Sequence, residues 1–282
     1  MAILIDGKKT SLKIREEIKR ECAEFTDKYG KAPSLTVIVV GNDPASAVYV
    51  RNKHKGCEEC GIRSEIIALP EETTEGELLE VIARLNRDEE VNGILVQLPL
   101  PRGINERNII NAISPSKDVD AFGYESCGRI SVGDYDFLPC TPAGVMALLD
   151  EYGIEISGKE CVVVGRSNIV GKPMANLLMH KNGTVTVCHS RTSELAFHTK
   201  RADILVLAIG KARFIGGDMI KEGCTVIDVG INRGEDGKLC GDADFESCEK
   251  KAYAITPVPG GVGPMTITML LKNTLKAAYK QL

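Results

Sequence analysis

The chain has 282 residues, 43% hydrophobic and 26% charged, with 35 basic against 39 acidic side chains and a net charge of −4. That balance leaves no basic footprint for a nucleic acid, and no apolar run approaches the roughly 20 residues of a membrane-spanning helix. The length exceeds what one hydrophobic core usually organises, which favours two domains.

Residues 1–5 read as a strand. They are too short for the apolar segment of a signal peptide, and Lys8, Lys9 and Lys13 follow rather than precede them, so a cytoplasmic protein is expected. Residues 10–29 read as an amphipathic helix, 35–40 as a strand, 44–60 as a helix stopped by Gly61, and 64–69 as a strand. Thr74 and Glu77 have capping-box spacing at the start of a helix over 74–86. A strand over 93–97 and a short helix over 105–113 continue the alternation. Repeated βα units imply a mostly parallel sheet covered on both faces.

Thr141 as N-cap and Pro142 in the first turn open a helix to residue 152 that links the halves. Strands over 161–164, 184–188, 204–209, 225–229 and 253–256 then predict a Rossmann-type domain. Residues 260–264 read as a mobile turn, and 265–279 as a last helix that packs back on the first domain. The expected fold is α/β with two domains. A catalytic domain of βα repeats spans 1–140 with 265–282, and a Rossmann-type domain spans 141–264.

The ten cysteines are scattered, as expected of reduced, mostly buried small hydrophobes. Cys57 and Cys60 have C-x-x-C spacing without a second pair, so packing in a helix is favoured over zinc. Cys140, just before a helix start, could be a low-pKa thiol, but no histidine is placed to serve it and a structural role is preferred. No metal site is expected.

The strand at 161–164 runs into Gly165-Arg166-Ser167-Asn168-Ile169-Val170-Gly171-Lys172-Pro173 and then a helix. A strand, a glycine turn and a helix N-terminus offer backbone N–H groups and a positive dipole end to a phosphate. The spacing is not the usual dinucleotide fingerprint, and a tight ligand-free turn would look the same. After the next strand the chain reads His189-Ser190-Arg191-Thr192, where an NAD site would carry an acid for the ribose 2′-hydroxyl. A guanidinium and hydroxyls suit a 2′-phosphate, and Arg166 offers a second cation, so the cofactor read from these residues is NADP.

In the first half, Tyr49 and Lys53 share a helix face at i, i+4, Gln97 ends a strand, and Asp120 lies in Lys117-Asp118-Val119-Asp120. Singly, each has a plain reading: a solvated lysine, an interfacial tyrosine, a strand cap, a turn cap.

Together they resemble one family. Val39 to Ser46 followed by Tyr49-Val50-Arg51-Asn52-Lys53, Gly93 to Pro101, Lys117 to Asp120, Pro139-Cys140-Thr141-Pro142, Gly165 to Pro173, Cys188 to Thr192, Asp228 to Asn232, and Pro259 to Thr266 are similar, in order, to the motifs of the methylenetetrahydrofolate dehydrogenase/methenyltetrahydrofolate cyclohydrolase family. The resemblance implies two reactions at one site. A hydride passes from 5,10-methylenetetrahydrofolate to NADP, and water then opens the methenyl product to 10-formyltetrahydrofolate. It implies Lys53 as the group that moves protons, Gln97 as the group that orients the amine, Tyr49 against the folate and Asp120 on the pterin edge. Gly261 and Pro264 join Tyr49, Gln97 and Asp120 as substrate contacts. Gly165, Arg166, Ser167, Ser190, Arg191 and Ile231 fall on cofactor positions, and a homodimer through the NADP domain is expected.

Ala121 stands where the family usually has glycine, residues 122–128 lack its common His-Pro and Asn, and Ala212 replaces a usual proline. The first two fall beside Asp120 and bear on substrate affinity more than on reaction type. Two other readings remain: an NADP dehydrogenase acting on a shikimate-like hydroxy acid, which leaves Tyr49, Lys53, Gln97 and Asp120 unexplained together, and a non-catalytic NADP sensor, against which Lys53 argues.

Overall fold

A computed structural model describes residues 2–235 and 237–282. In chain order the first elements are β1 (Ile3–Leu4), α1 (Gly7–Tyr29), β2 (Ser34–Val40), α2 (Pro44–Cys60), β3 (Arg63–Leu69), α3 (Glu75–Arg87), β4 (Gly93–Val96), α4 (Glu106–Ala112), α5 (Tyr124–Val132) and α6 (Cys140–Glu151). Then follow β5 (Glu160–Val164), α7 (Gly171–His180), β6 (Thr184–Cys188), α8 (Leu195–Thr199), β7 (Ile204–Leu207), β8 (Thr225–Asp228), β9 (Asn232–Arg233), β10 (Leu239–Cys240), α9 (Phe245–Glu249), β11 (Ala254–Ile255) and α10 (Val262–Lys280). The fold is α/β, with parallel sheets in two compact units. One unit holds Lys13–Cys140 and Ile267–Leu282, and the other Met1–Leu12 and Thr141–Thr266.

In the first of these, a parallel sheet runs in the order β3-β2-β4. The central strand β2, Ser-Leu-Thr-Val-Ile-Val-Val, is buried along nearly its whole length, as a parallel strand covered on both faces requires. Helix α2 starts where the Asp43 carboxylate accepts the Ser46 N–H at 2.7 Å, and stops at Gly61, whose φ of 74° places it in the left-handed region. Helix α3 carries the expected capping box: Thr74 N–H donates to Glu77 Oε2 at 2.8 Å, and Glu77 N–H to Thr74 Oγ1 at 3.3 Å. Its stripe of Leu78, Ile82 and Leu85 packs with Ile38, Val40, Ile94 and Val96 of the sheet.

The other unit has a six-stranded parallel sheet in the order β1-β11-β8-β7-β5-β6, with an antiparallel β9–β10 ribbon. Sequence order would assign residues 1–5 to the first half. Instead β1 pairs in parallel with β11, Ile3 against Ala254 and Leu4 against Ile255, and Ile5 N–H donates to Ile255 O at 2.9 Å. The core beneath the sheet is built from Val162, Val164, Leu205, Leu207, Val226 and Ile255.

Three further differences from the sequence reading have physical causes. Thr141 is not an N-cap: α6 already begins at Cys140, and the Thr141 hydroxyl pairs with Thr266 Oγ1 at 2.9 Å. Residues 124–132, which no sequence pattern marked, form α5 because buried Asp118 holds the start of the helix. The glycine turn at 260–264 is close-packed at Gly261 and leads directly into a helix. A Cβ on Gly261 would sit 2.5 Å from Pro257 O, a side chain on Gly7 would run into Gly261 O, and α10 starts at Val262. Among the described residues no helix is long and apolar enough to cross a membrane.

Candidate active site

In the unit built on β2, two expected residues meet directly. Lys53 Nζ donates to Gln97 Oε1 at 3.1 Å, and the Gln97 amide NH2 donates to Leu98 O at 2.7 Å. The second bond fixes which end of the amide faces the lysine. Gln97 sits just beyond β4, with its N–H on Ile38 O at 2.8 Å, so the end of the sheet holds it in place. Tyr49, one turn before Lys53 on α2, is 43% exposed and presents its ring to solvent.

The Lys117–Asp120 segment divides its labour. Lys117 is buried, and its ammonium caps the C-terminal end of α3 through Leu85 O at 2.9 Å and Asp88 O at 2.6 Å. Asp118 is buried too, and accepts from Gly123 N–H and Ser126 Oγ, each at 2.9 Å. Burial pushes its carboxyl above the usual range, partly offset by those donors. Both side chains are engaged within the fold, whereas the neighbouring Asp120 is half-buried. Between them and the helix, Ala121 adopts φ 56° with no exposure, a left-handed conformation that a glycine would take without strain. The loop is tightly organised around Asp118.

Asp120 Oδ1 accepts from the Cys140 thiol at 3.4 Å. Cys140 is 2% exposed, and burial first, then the charge of Asp120, push its thiol well above the ordinary range. It is therefore not a low-pKa nucleophile. The other cysteines are free; Cys57 and Cys60 lie buried on α2 and Cys22 on α1, and burial pushes Cys22 and Cys57 up to about 12. Among the described residues no cluster could hold a metal ion.

In the other unit, the glycine turn leaves β5 with no room for side chains. Gly165 has φ 137°, and a Cβ there would lie 2.3 Å from Ala208 O; a Cβ on Gly171 would lie 2.2 Å from Gly165 O. The start of α7 is thus pressed against the strand end, as a pyrophosphate site requires. Ser167 Oγ accepts from Val170 N–H at 3.2 Å and Gly171 N–H at 3.3 Å, so its hydroxyl is engaged in the turn itself.

Beside the turn lies a pocket of about 380 Å³ at the ends of β5, β6 and β7, where the strand order reverses. Its polar rim includes Arg166, His189, Ser190 and Lys211, and its apolar wall Leu195 and Phe214; no carboxylate lines it. This chemistry fits a 2′-phosphorylated adenosine better than a free 2′-hydroxyl. Arg191 does not line the pocket, and its N–H donates to His189 Nδ1 at 3.1 Å. Lys211, which sequence reasoning missed, does: it follows β7, and its ammonium lies 4.9 Å from the centre of the Phe214 ring. Ile231 is 50% exposed, Gly261 is buried and Pro264 is half-buried in the first turn of α10.

Two carboxylates shape this end of the sheet from behind. Asp242 accepts from Ile209 N–H at 2.7 Å, Gly210 N–H at 3.1 Å, Lys211 N–H at 2.8 Å and Asn232 Nδ2 at 2.9 Å. Asp228 accepts from Gly230, Asp242 and Ala243 N–H groups, and burial pushes its carboxyl up to about 6 against those bonds.

A doubly wound parallel sheet with a glycine turn and a cationic pocket at its switch point defines an NAD(P)-binding protein of the dehydrogenase class. The chain belongs to the tetrahydrofolate dehydrogenase/cyclohydrolase family: residues 5–120 match the model of its catalytic domain and residues 139–282 that of its NAD(P)-binding domain. The bifunctional protein FolD of Acetivibrio thermocellus is 61% identical over 280 residues, covering 99% of this chain and 98% of that protein. The crystal structure of the bifunctional FolD enzyme, a methylenetetrahydrofolate dehydrogenase/cyclohydrolase, from Campylobacter jejuni matches with a TM-score of 0.97 at 50% identity, covering 100% of both chains. That of the Trypanosoma brucei enzyme, complexed with NADP and an inhibitor, matches with a TM-score of 0.94 at 39% identity, over 99% of this chain and 98% of that one. The hydroxy-acid dehydrogenase and sensor readings are set aside.

Proposed function

We propose that this chain oxidises 5,10-methylenetetrahydrofolate with NADP and hydrolyses the methenyl product to 10-formyltetrahydrofolate, using Lys53, Tyr49, Gln97 and Asp120 for both steps. The observation that carries the residue assignment is the hydrogen bond from Lys53 to an amide whose orientation is set by Leu98. Water attack on an electrophilic carbon needs a group that takes a proton and returns it to the departing amine. Lys53 is the member of that pair that can carry a proton, and its ammonium is held by the Gln97 amide. Gln97 holds the lysine in position and adds no charge that would compete with the substrate. Asp120 offers a carboxylate to the paired donors of the pterin edge, and Tyr49 offers an exposed ring to the folate. Gly261 and Pro264 are further proposed folate contacts.

The bound cofactor supplies the hydride acceptor. Gly165 and Gly171 admit its pyrophosphate by close backbone approach, Ser167 fixes the turn, and Ser190 with Arg166 and Lys211 is proposed to hold the 2′-phosphate. Arg191 would act there only from the rim, and Ile231 offers an apolar side chain to the cofactor. In this reading the folate chemistry belongs to residues 1–140 with 265–282 and cofactor binding to 141–264. The pairing of β1 with β11 supports counting the first residues with the cofactor sheet instead.

A homodimer through the NADP domain is part of the proposal. Strand β6 is a sheet edge with exposed Val187, and a second copy could pair along it. A cytoplasmic location fits ten free cysteines, nine of them buried and one half-buried.

The test is to supply 5,10-methylenetetrahydrofolate with NADP or NAD and follow NADPH and the methenyl intermediate by absorbance. Turnover with NADP and decay of the intermediate are expected. Absence of folate-dependent NADPH formation would overturn the assignment.

A further inference from the structure

Helix α10 has a mostly apolar inner face, with Leu270, Leu271, Thr274 and Leu275 buried, and Asn273 is buried among them at 9% exposure. A buried amide costs stability unless its hydrogen bonds are made. Both of its donors are used, and neither serves the helix. Asn273 Nδ2 donates to Val119 O at 2.8 Å and to Leu138 O at 2.9 Å. Val119 immediately precedes Asp120, and Leu138 lies two residues before Cys140. The same nitrogen lies 3.8 Å from Cys140 Sγ. The Cys140 thiol in turn reaches Asp120 Oδ1 at 3.4 Å and Val119 O at 3.6 Å.

We propose that Asn273 and the Cys140 thiol are positioning residues for Asp120: the amide clamps together the two segments that carry Asp120 and Cys140, and the thiol donates to one carboxylate oxygen and sets the plane of the carboxylate. The inference rests on the reading of Asp120 as the pterin anchor. A forked pair of donors is matched by a carboxylate only when its plane is aligned with them, so a carboxylate free to rotate loses affinity without losing charge. Each carboxylate oxygen has two lone-pair directions, so Oδ1 accepts the thiol and still accepts from a substrate. Burial and the charge of Asp120 keep the thiol protonated, and so a donor.

Five variants, each with full steady-state kinetics, test this. Cys140→Ala removes the donor and is expected to raise KM for methylenetetrahydrofolate about tenfold, with kcat changed less than threefold and KM for NADP unchanged. Cys140→Ser restores a donor of the same valence and is expected to keep the folate KM within about threefold of wild type. A purely packing role would instead make the serine at least as harmful as the alanine, since it buries a polar group in the same space. Asn273→Ala is expected to raise the folate KM by tenfold or more and leave the cofactor KM alone. In the Asp120→Ala background, Cys140→Ala should add no further loss of folate affinity. Wild-type folate KM in both Cys140→Ala and Asn273→Ala, or equal damage from serine and alanine at position 140, overturns the proposal. If Asp120→Ala alone leaves folate binding untouched, the anchor reading itself has failed. The arms thus separate the two. Should Asn273→Ala not fold, the alanine–serine comparison at position 140 and its dependence on Asp120 decide the matter.

Discussion

Lys53 Nζ lies 3.1 Å from Gln97 Oε1, a hydrogen bond that ties the middle of α2 to the end of β4 across 44 positions of sequence. The lysine is therefore held by a neutral acceptor rather than by a carboxylate. The amide fixes the position of the lysine without placing a second charge beside it.

The first prediction follows from that pairing. Lys53→Met should lower cyclohydrolase turnover by about 10²–10⁴-fold, the usual contribution of general acid–base catalysis. The dehydrogenase step, which needs alignment rather than a proton carrier, should fall less. Decay of added methenyltetrahydrofolate at the wild-type rate in this variant would remove Lys53 from the mechanism.

How much of this was legible in sequence depends on how far apart the interacting residues lie. Helix α2 was readable from its start at Pro44 and its stop at Gly61, and the shared face of Tyr49 and Lys53 followed from helical spacing; the Asp43 cap emerged only in the structure. Gln97 was readable as a strand end. Its bond to Lys53 was not, because it depends on both the pairing of β4 with β2 and the placement of α2, 44 positions away in sequence. The pairing of β1 was hidden for the same reason: two residues of strand carry no signal of which sheet they join. Helix α5 was hidden because its start is held by Asp118, a buried side chain from outside the helix. Asn273 looked like an ordinary polar residue in a helix until its two carbonyl partners, over 130 positions away, were in place.

Cofactor choice gives the second prediction. Arg166, Ser190 and Lys211 line the pocket and Arg191 does not. Arg166→Ala and Lys211→Ala should each weaken NADP binding by about 1.5–3 kcal/mol, the scale of a hydrogen bond to a charged group, and leave NAD binding little changed. Ser190→Ala should cost about 1 kcal/mol, and Arg191→Ala less than Arg166→Ala. Titrations with both nucleotides check the order. An Arg191 effect larger than that of Arg166 would put the 2′-phosphate elsewhere.

Ala121 carries the third. Its left-handed backbone is tolerable for alanine and poor for a β-branched residue, and the site is fully buried. Ala121→Val should destabilise the protein by roughly 2 kcal/mol or more and raise the folate KM, because Asp120 is the preceding residue. Ala121→Gly relieves the backbone conformation at the cost of a more flexible unfolded chain, so its stability should stay within about 1 kcal/mol of wild type. Urea unfolding of the three proteins measures both differences, and a valine variant as stable as wild type would contradict the strained geometry.

Asp228 gives a prediction in pH. Its carboxyl is pushed up to about 6 by burial, against an unfolded value near 3.9. Between those values the folded chain binds more protons at this site than the unfolded chain, so this site's contribution to stability falls as pH rises. The full difference of about two pKa units corresponds to roughly 3 kcal/mol, present below about pH 4 and lost once pH passes 6. Asp242 and the backbone N–H groups of Gly230 and Ala243 face the same carboxylate, so the loop behind the cofactor pocket feels the change. Asp228→Asn removes the titration. Its unfolding free energy should lack this downward component between pH 4 and 6, whatever the constant cost of placing an amide NH2 against the Ala243 N–H. Unfolding curves at half-unit pH steps for wild type and variant give the difference directly. A difference that stays flat across that window would mean that the three N–H donors outweigh burial and hold Asp228 ionised throughout.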